Sequence, residues 1–165
     1  VALLPPLVTG IPFYGVKNLL PSLVEKYLGT ASGYPYASIN AFNWLTALGG
    51  NWKPLNDTAL FGIPWHVLGW LGILLVTGGL VWFAVRSEQG GRFSPVLLAA
   101  YYGLGVFTFG HCMHERYMIP GVLLTILAAA RWNDIRLYAA GFGLSLTGFI
   151  NLATVYSLAL SLIHI

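Results

Sequence analysis

Two imidazoles, a carboxylate and a guanidinium fall within six residues at His111–Arg116 (HCMHER). No other stretch of the chain is as dense in ionisable groups. At helical spacing His111 would lie beside His114 and Glu115. Pro120 is a favoured first-turn residue, so a helix is expected to begin close behind Arg116. The free backbone N–H groups of such a helix start, together with Arg116, would suit an anionic phosphate. His111 and His114 could each donate a hydrogen bond to the same anion, and Glu115 would orient Arg116 or a histidine. The same residues would equally make a salt-bridged turn at a membrane border. A divalent metal is compatible with these residue types. However, the order H-x-x-H-E matches neither H-E-x-x-H nor H-x-x-E-H, so no metal and no other cofactor is assigned.

A second candidate region precedes it. YPYASINAFNW mixes the aromatics Tyr34, Tyr36, Phe42 and Trp44 with the amides Asn40 and Asn43; Asn51 and Trp52 follow. Aromatic faces and amides bind sugars, so Tyr34, Tyr36, Asn40 and Asn43 are candidate substrate contacts. Tryptophan and tyrosine also gather in ordinary interfacial loops, and that reading stays open. Ser38 is placed to cap a short helix that runs to the Gly49-Gly50 stop, with Asn40 and Asn43 sharing a face. Asn56-Asp57-Thr58 is a glycosylation sequon, relevant only in a eukaryotic lumen.

The elements that position these residues read as membrane spans. The chain is 57% hydrophobic and only 8% charged, against about 25% charged in soluble domains. Its net charge of +3 is scattered, with no basic stripe for nucleic acid. One cysteine, Cys112, excludes an internal disulfide framework. The expected fold class is all-α: a polytopic transmembrane helix bundle with an extracytoplasmic segment carrying short interfacial helices. Residues 1–12 read as the end of a truncated transmembrane helix, 13–64 as the extracytoplasmic segment, and 65–165 as four transmembrane helices. Those four are Trp65–Val85, Pro95–Gly110, Tyr117–Ala130 and Leu137–Ile163. Within the outer segment, Asn18–Leu28 is amphipathic and suited to lie in the interface plane. Gly141, Ser145, Gly148 and Asn151 form a small-residue stripe that is expected to face other helices. Both ends of the chain open into apolar runs, so an internal or C-terminal fragment of a longer polypeptide is expected.

Arg86 with Arg92, and Arg131 with Arg136, flank two short turns that span counting puts on one side. Paired arginines in short loops mark the cytoplasmic face. HCMHER and the long segment then face outward. Trp65, Trp70, Trp82 and Trp132 fall near predicted borders, as an aromatic belt would. Phe93–Ala130 comprises 38 residues, while two full spans need about 40. HCMHER therefore has no room to hang in water. It is expected at the membrane border or slightly below it, facing a wet cavity.

YPYASINAFNWLTALGGNW followed by a span, and then MHERYMIP opening a later span, resembles the C-terminal half of bacterial GT-C superfamily glycosyltransferases. These are polytopic enzymes that use a polyprenyl-phosphate-linked sugar on the outer face. In the dolichyl-phosphate-glucose-dependent relatives of N-glycan assembly a His-Glu-Lys motif occupies a similar place, matched here by His114, Glu115 and Arg116. The resemblance implies inverting sugar transfer in the bacterial cell membrane, or in the endoplasmic reticulum of a eukaryote. It implies that Arg116, His114 and His111 meet the donor phosphate. It also implies that the general base lies outside these residues, so that activity needs the remainder of the full-length chain. Membrane lipid and the polyprenyl-phosphate donor are the expected partners. The alternatives are a transporter, whose charges would lie near the bilayer midplane, and a non-catalytic structural membrane subunit.

Overall fold

A computed structural model describes residues 11, 12, 15, 17–26, 29, 33–90 and 94–163. The chain divides into two compact units, Val1–Pro35 and Tyr36–Ile165. In the first, residues 17–26 are helical (α1). Leu19 is buried, whereas Leu20 and Val24 of the same apolar face are exposed. Tyr27 and Leu28, like most of the expected truncated span over 1–12, lie outside the described residues, and so does Arg92.

The second unit is mostly helical. After a short helix α2 (Trp44–Ala47) come α3 (Trp65–Gln89), α4 (Pro95–Phe109), α5 (Ile119–Trp132) and α6 (Ile135–Ile163). Sequential helices pack as neighbours: α3 on α4, α4 on α5, and α5 on α6. Ser94 caps α4, its hydroxyl accepting from the Leu97 N–H at 3.3 Å, with Pro95 in the first turn. Asn133 ends α5 in the left-handed conformation that asparagine tolerates.

The helices differ in length, and this decides where the ends lie. At 1.5 Å per residue α3 and α6 extend about 37 and 43 Å, whereas α4 and α5 extend only about 22 and 21 Å. Only α3 and α6, among the described helices, are long and apolar enough to cross a membrane. In their most apolar stretches just 17% and 6% of the residues are buried inside the protein. The four expected spans are thus two long helices flanking a short hairpin. The 38-residue count had already left the hairpin too little chain to be longer.

Residues 36–64 sit over the tip of that hairpin. Ser38–Ile39 (β1) pairs in parallel with Met113–His114 (β2), with Ser38 opposite Met113 and Ile39 opposite His114. The other edge of the same segment bonds residues 50–54: Ala37 N–H donates to Lys53 at 2.8 Å and Trp52 N–H to Ser38 at 2.9 Å. The expected helix from Ser38 is therefore corrected. Ser38 is in a strand, and its hydroxyl accepts from Thr46 Oγ1 at 2.8 Å instead of capping. The helix is the single turn of α2, and Asn43 caps it, its Oδ1 accepting from Thr46 N–H at 3.0 Å.

Two small cores hold this cover in place. Ala37, Leu45 and Trp65 form one; Ala41, Phe107 and Met118 form the other, backed by Leu104, Met113, Val122 and Leu144. Trp65 is thus a core residue and not part of an exposed belt, whereas Trp70, Trp82 and Trp132 are exposed. On α6, Gly141 and Asn151 are buried, Gly148 is half-buried and Ser145 is exposed. Asn151 is only 1% exposed. Its Oδ1 accepts from Phe42 N–H at 3.0 Å and its Nδ2 donates to the Asn40 carbonyl at 2.7 Å. One side chain thereby joins residues 40–42 to α6.

Replacing Asn151 by leucine should leave the part-buried Phe42 N–H and Asn40 carbonyl without this partner, costing about 1–3 kcal/mol. Unfolding of the detergent-solubilised protein measures this. A variant as stable as the parent would show that the amide bridge is dispensable.

Candidate functional site

The HCMHER segment forms a ledge at the tip of the α4–α5 hairpin. Helix α4 ends at Phe109, leaving carbonyls that no residue of the helix can bond. Side chains of the cover satisfy them. Asn43 Nδ2 lies 3.3 Å from the Phe107 oxygen and 3.4 Å from that of Gly110, and Trp44 Nε1 donates to Phe109 at 3.1 Å. The chain then turns through Cys112, whose φ of 58° is the left-handed region that a side chain occupies at a cost of about 1 kcal/mol. Cys112 N–H bonds the Ala37 carbonyl at 3.1 Å, and the ladder with β1 begins there.

Each ionisable residue of the ledge meets a different environment. His111 lies against α3, where Gly69 leaves the space: a Cβ there would come within 3 Å of the imidazole. Gly72, one turn on, admits Phe109 in the same way. The His111 ring stands edge-on to Trp70 at 5.3 Å, and its Nδ1 is 3.1 Å from Cys112 Sγ. Burial, and then the nearby His66, push its pKa below the usual histidine range. Burial likewise pushes the Cys112 thiol up, so it is no ready nucleophile.

His114 is buried in the ladder and stands edge-on to Tyr117 at 5.2 Å. Its pKa is lowered, first by burial and then by the Arg116 charge, with Glu115 opposing. Both imidazoles of the ledge are therefore neutral at pH 7 and can offer an N–H but not a charge. Arg116 is the standing cation of HCMHER. Its side chain is 58% exposed, lies over Tyr117 at 5.9 Å, and is 3.6 Å from Glu115. At that exposure the pair contributes little stability and leaves most of the guanidinium donors available. Residues Glu115–Met118 make a 3-10 turn that leads into α5, and buried Met118 anchors it in the core.

Below Glu115 an apolar groove of about 260 Å³ runs between α5 and α6. Ile119, Val122, Leu123, Phe149 and Leu152 line it, with Ser145 and Gly148 on its wall. Glu115 lines the head of this groove, and the exposed Arg116 guanidinium lies 3.6 Å from its carboxylate.

Of the candidate substrate contacts, Asn40 pairs with His114 through a bridge beyond the ladder. Its carboxamide oxygen accepts from Trp52 Nε1 at 2.9 Å, and its N–H bonds Asn51 Oδ1 at 2.8 Å. Asn43 reaches the residue preceding His111, but as a buried cap. The Asn43 amide is occupied in holding backbone, and the Asn40 amide in bonding the Trp52 and Asn51 side chains. Tyr36 stands edge-on to Trp52 at 5.4 Å. Tyr34 belongs to the first unit and is exposed. Among the described residues no group of three or more His, Cys, Asp or Glu could hold a metal ion. Sequence reasoning missed Gly69 and Gly72, which set how closely the ledge approaches α3. Their spacing along a span, Gly-x-x-Gly, was the available signal.

Fold and site together define a mostly helical protein with two helices of membrane-spanning length and an ionisable ledge between them. No family model, no curated protein and no solved structure matches this chain.

Histidines held neutral by burial make stability depend on pH with a definite sign. A histidine pKa depressed in the folded state leaves stability intact above the unfolded value near 6.5. Stability is lost as pH falls below that value toward the folded one. The unfolding midpoint should therefore drop as pH falls below about 6.5, and His111→Gln should flatten the fall. An unchanged pH profile in His111→Gln would contradict the assigned burial cost.

Proposed function

We propose that the protein is an integral membrane protein and that its ledge receives the phosphate of a polyprenyl-phosphate-linked sugar. On this reading it is part of a GT-C-type glycosyltransferase acting at the extracytoplasmic face. Support for the membrane comes from exposure. The core helix of a soluble protein is mostly buried, whereas α3 and α6 leave most of their apolar surface uncovered. Hydrocarbon is the solvent that such surface requires.

The observation that carries the donor assignment is an exposed guanidinium, Arg116, 3.6 Å from Glu115, the residue that lines the head of the apolar groove. A polyprenyl phosphate is an anion on an apolar tail: Arg116 would meet the anion, and the groove beside Glu115 would take the tail. In sugar transfer the bond between the anomeric carbon and the phosphate oxygen breaks, and negative charge grows on the departing phosphate. Arg116 would stabilise that charge where water is scarce. Neutral His114 and His111 could add N–H donors, and Glu115 would steer the guanidinium. The proton of the acceptor hydroxyl would pass to a base that HCMHER does not supply. The resemblance of YPYASINAFNW and MHERYMIP to this class supports the same reading.

Arg116→Ala should weaken donor binding by roughly 2–5 kcal/mol, since the phosphate loses its charge-assisted partner. Arg116→Lys should restore only part, because lysine keeps the charge without the planar fork. The readout is donor binding and sugar transfer by the full-length protein in liposomes. Undiminished binding and transfer in Arg116→Ala would reject the phosphate role.

A further inference from the structure

A second cavity lies away from the ledge. It lies at the opposite end of the bundle and encloses about 650 Å³, within the range of small-molecule sites. The end of α3, the start of α4, and the turn between α5 and α6 surround it. Its walls are apolar, with Phe83, Leu97, Leu98 and Leu137 facing inward. Its rim carries Arg86 and Arg136, and Trp82 and Trp132 are also in the lining.

The two arginines differ in their surroundings. Arg136 is held by Asp134, through its backbone N–H at 2.8 Å, Nε at 3.1 Å and an Nη at 2.8 Å. These bonds first, and the nearby guanidinium charge after them, keep the Asp134 carboxyl below the usual carboxylate range, so it is ionised. Asp134 fixes Arg136 along one edge and leaves other donors of the fork unused. Arg86 lies over the Trp82 ring at 5.9 Å and has no carboxylate partner among the described residues. Among the described lining residues, two guanidinium groups against one carboxylate leave a single positive charge.

We propose that this cavity binds an anionic phospholipid, with the phosphodiester at Arg86 and Arg136 and acyl chain along the apolar walls. The charge and the walls together select the ligand class. A free anion would leave the apolar walls exposed to water, and a zwitterionic lipid would bring its own cation to a rim already positive. The position fits as well. The rim lies at the ends of the two membrane-length helices, on the arginine side, where headgroups of one leaflet would stand. The proposal rests on the membrane-spanning reading but not on sugar transfer.

The test uses the full-length protein in phosphatidylcholine vesicles that contain phosphatidylglycerol. Brominated acyl chains are placed on one lipid or the other, and quenching of tryptophan emission is read. Brominated phosphatidylglycerol should quench the more strongly, and a Trp82→Phe/Trp132→Phe variant should lose that difference. Arg86→Ala should lower the relative affinity for the anionic lipid roughly tenfold, the size expected for one charge-assisted contact. Arg86→Lys should retain part of it. Arg131→Ala, which removes a charge at the same end but outside the cavity lining, should leave it intact. Equal quenching by the two lipids would overturn the proposal. So would a loss in Arg131→Ala as large as in Arg86→Ala, which would mean diffuse surface charge and no site. Failure of the protein to float with the vesicles would overturn the membrane reading, and this site with it. Loss of sugar transfer in Arg116 variants bears on the ledge alone.

Discussion

A helix that stops among other helices leaves carbonyl oxygens that must find donors. Helix α4 stops after about 22 Å, well below the reach of α3 and α6, and the rest of the second unit is arranged around that end. Asn43 and Trp44 donate to the carbonyls of Phe107, Phe109 and Gly110. Asn151 supplies the matching tie on the other side, from α6 to the backbone of Asn40 and Phe42. These three side chains fix the cover formed by residues 36–64, and the cover fixes the ledge through the ladder at Met113–His114. Their bonds carry more weight in a poorly hydrated setting, where water cannot replace a missing donor.

The same constraint separates structural from chemical roles. The amides of Asn40 and Asn43 are engaged with backbone and neighbouring side chains, and His114 is enclosed by the ladder. Arg116 is different: it follows the ladder by two residues, is carried on a turn anchored by Met118, and projects from the surface. The rigid support thus carries one exposed cation beside Glu115, the residue that lines the head of the apolar groove. At the other end of the bundle Arg86 and Arg136 repeat the pairing of guanidinium and apolar wall, but around a wider cavity.

Much of this was legible in the residues themselves. The shortness of α4 and α5 could be read from the 38 residues of Phe93–Ala130, too few for two full spans. The buried position of Asn151 on the small-residue stripe could also be anticipated from the cost of an amide in an apolar setting. Its partners could not, because they lie more than a hundred residues away. Ser38 was misread because a serine ahead of an apolar run signals a cap. Whether it caps depends on Thr46, which takes up its hydroxyl in the folded chain. A ladder of two residues between segments some 75 positions apart has no periodicity to detect. Trp65 fitted a membrane belt by position, yet Ala37 and Leu45, brought over it by the ladder, make it part of a core.

The central claim is that the ledge, and not the arginine-bearing end, receives the polyprenyl phosphate. Photo-crosslinking tests it most directly. A photoreactive phenylalanine analogue would replace Tyr117, whose ring meets both His114 and Arg116, or Phe83 at the far cavity. The full-length protein would then be irradiated in membranes with labelled polyprenyl-phosphate donor. The account predicts label at position 117 that unlabelled donor competes away, and none of that kind at position 83. Competable label at 83 alone, or no competable label at 117, would contradict it.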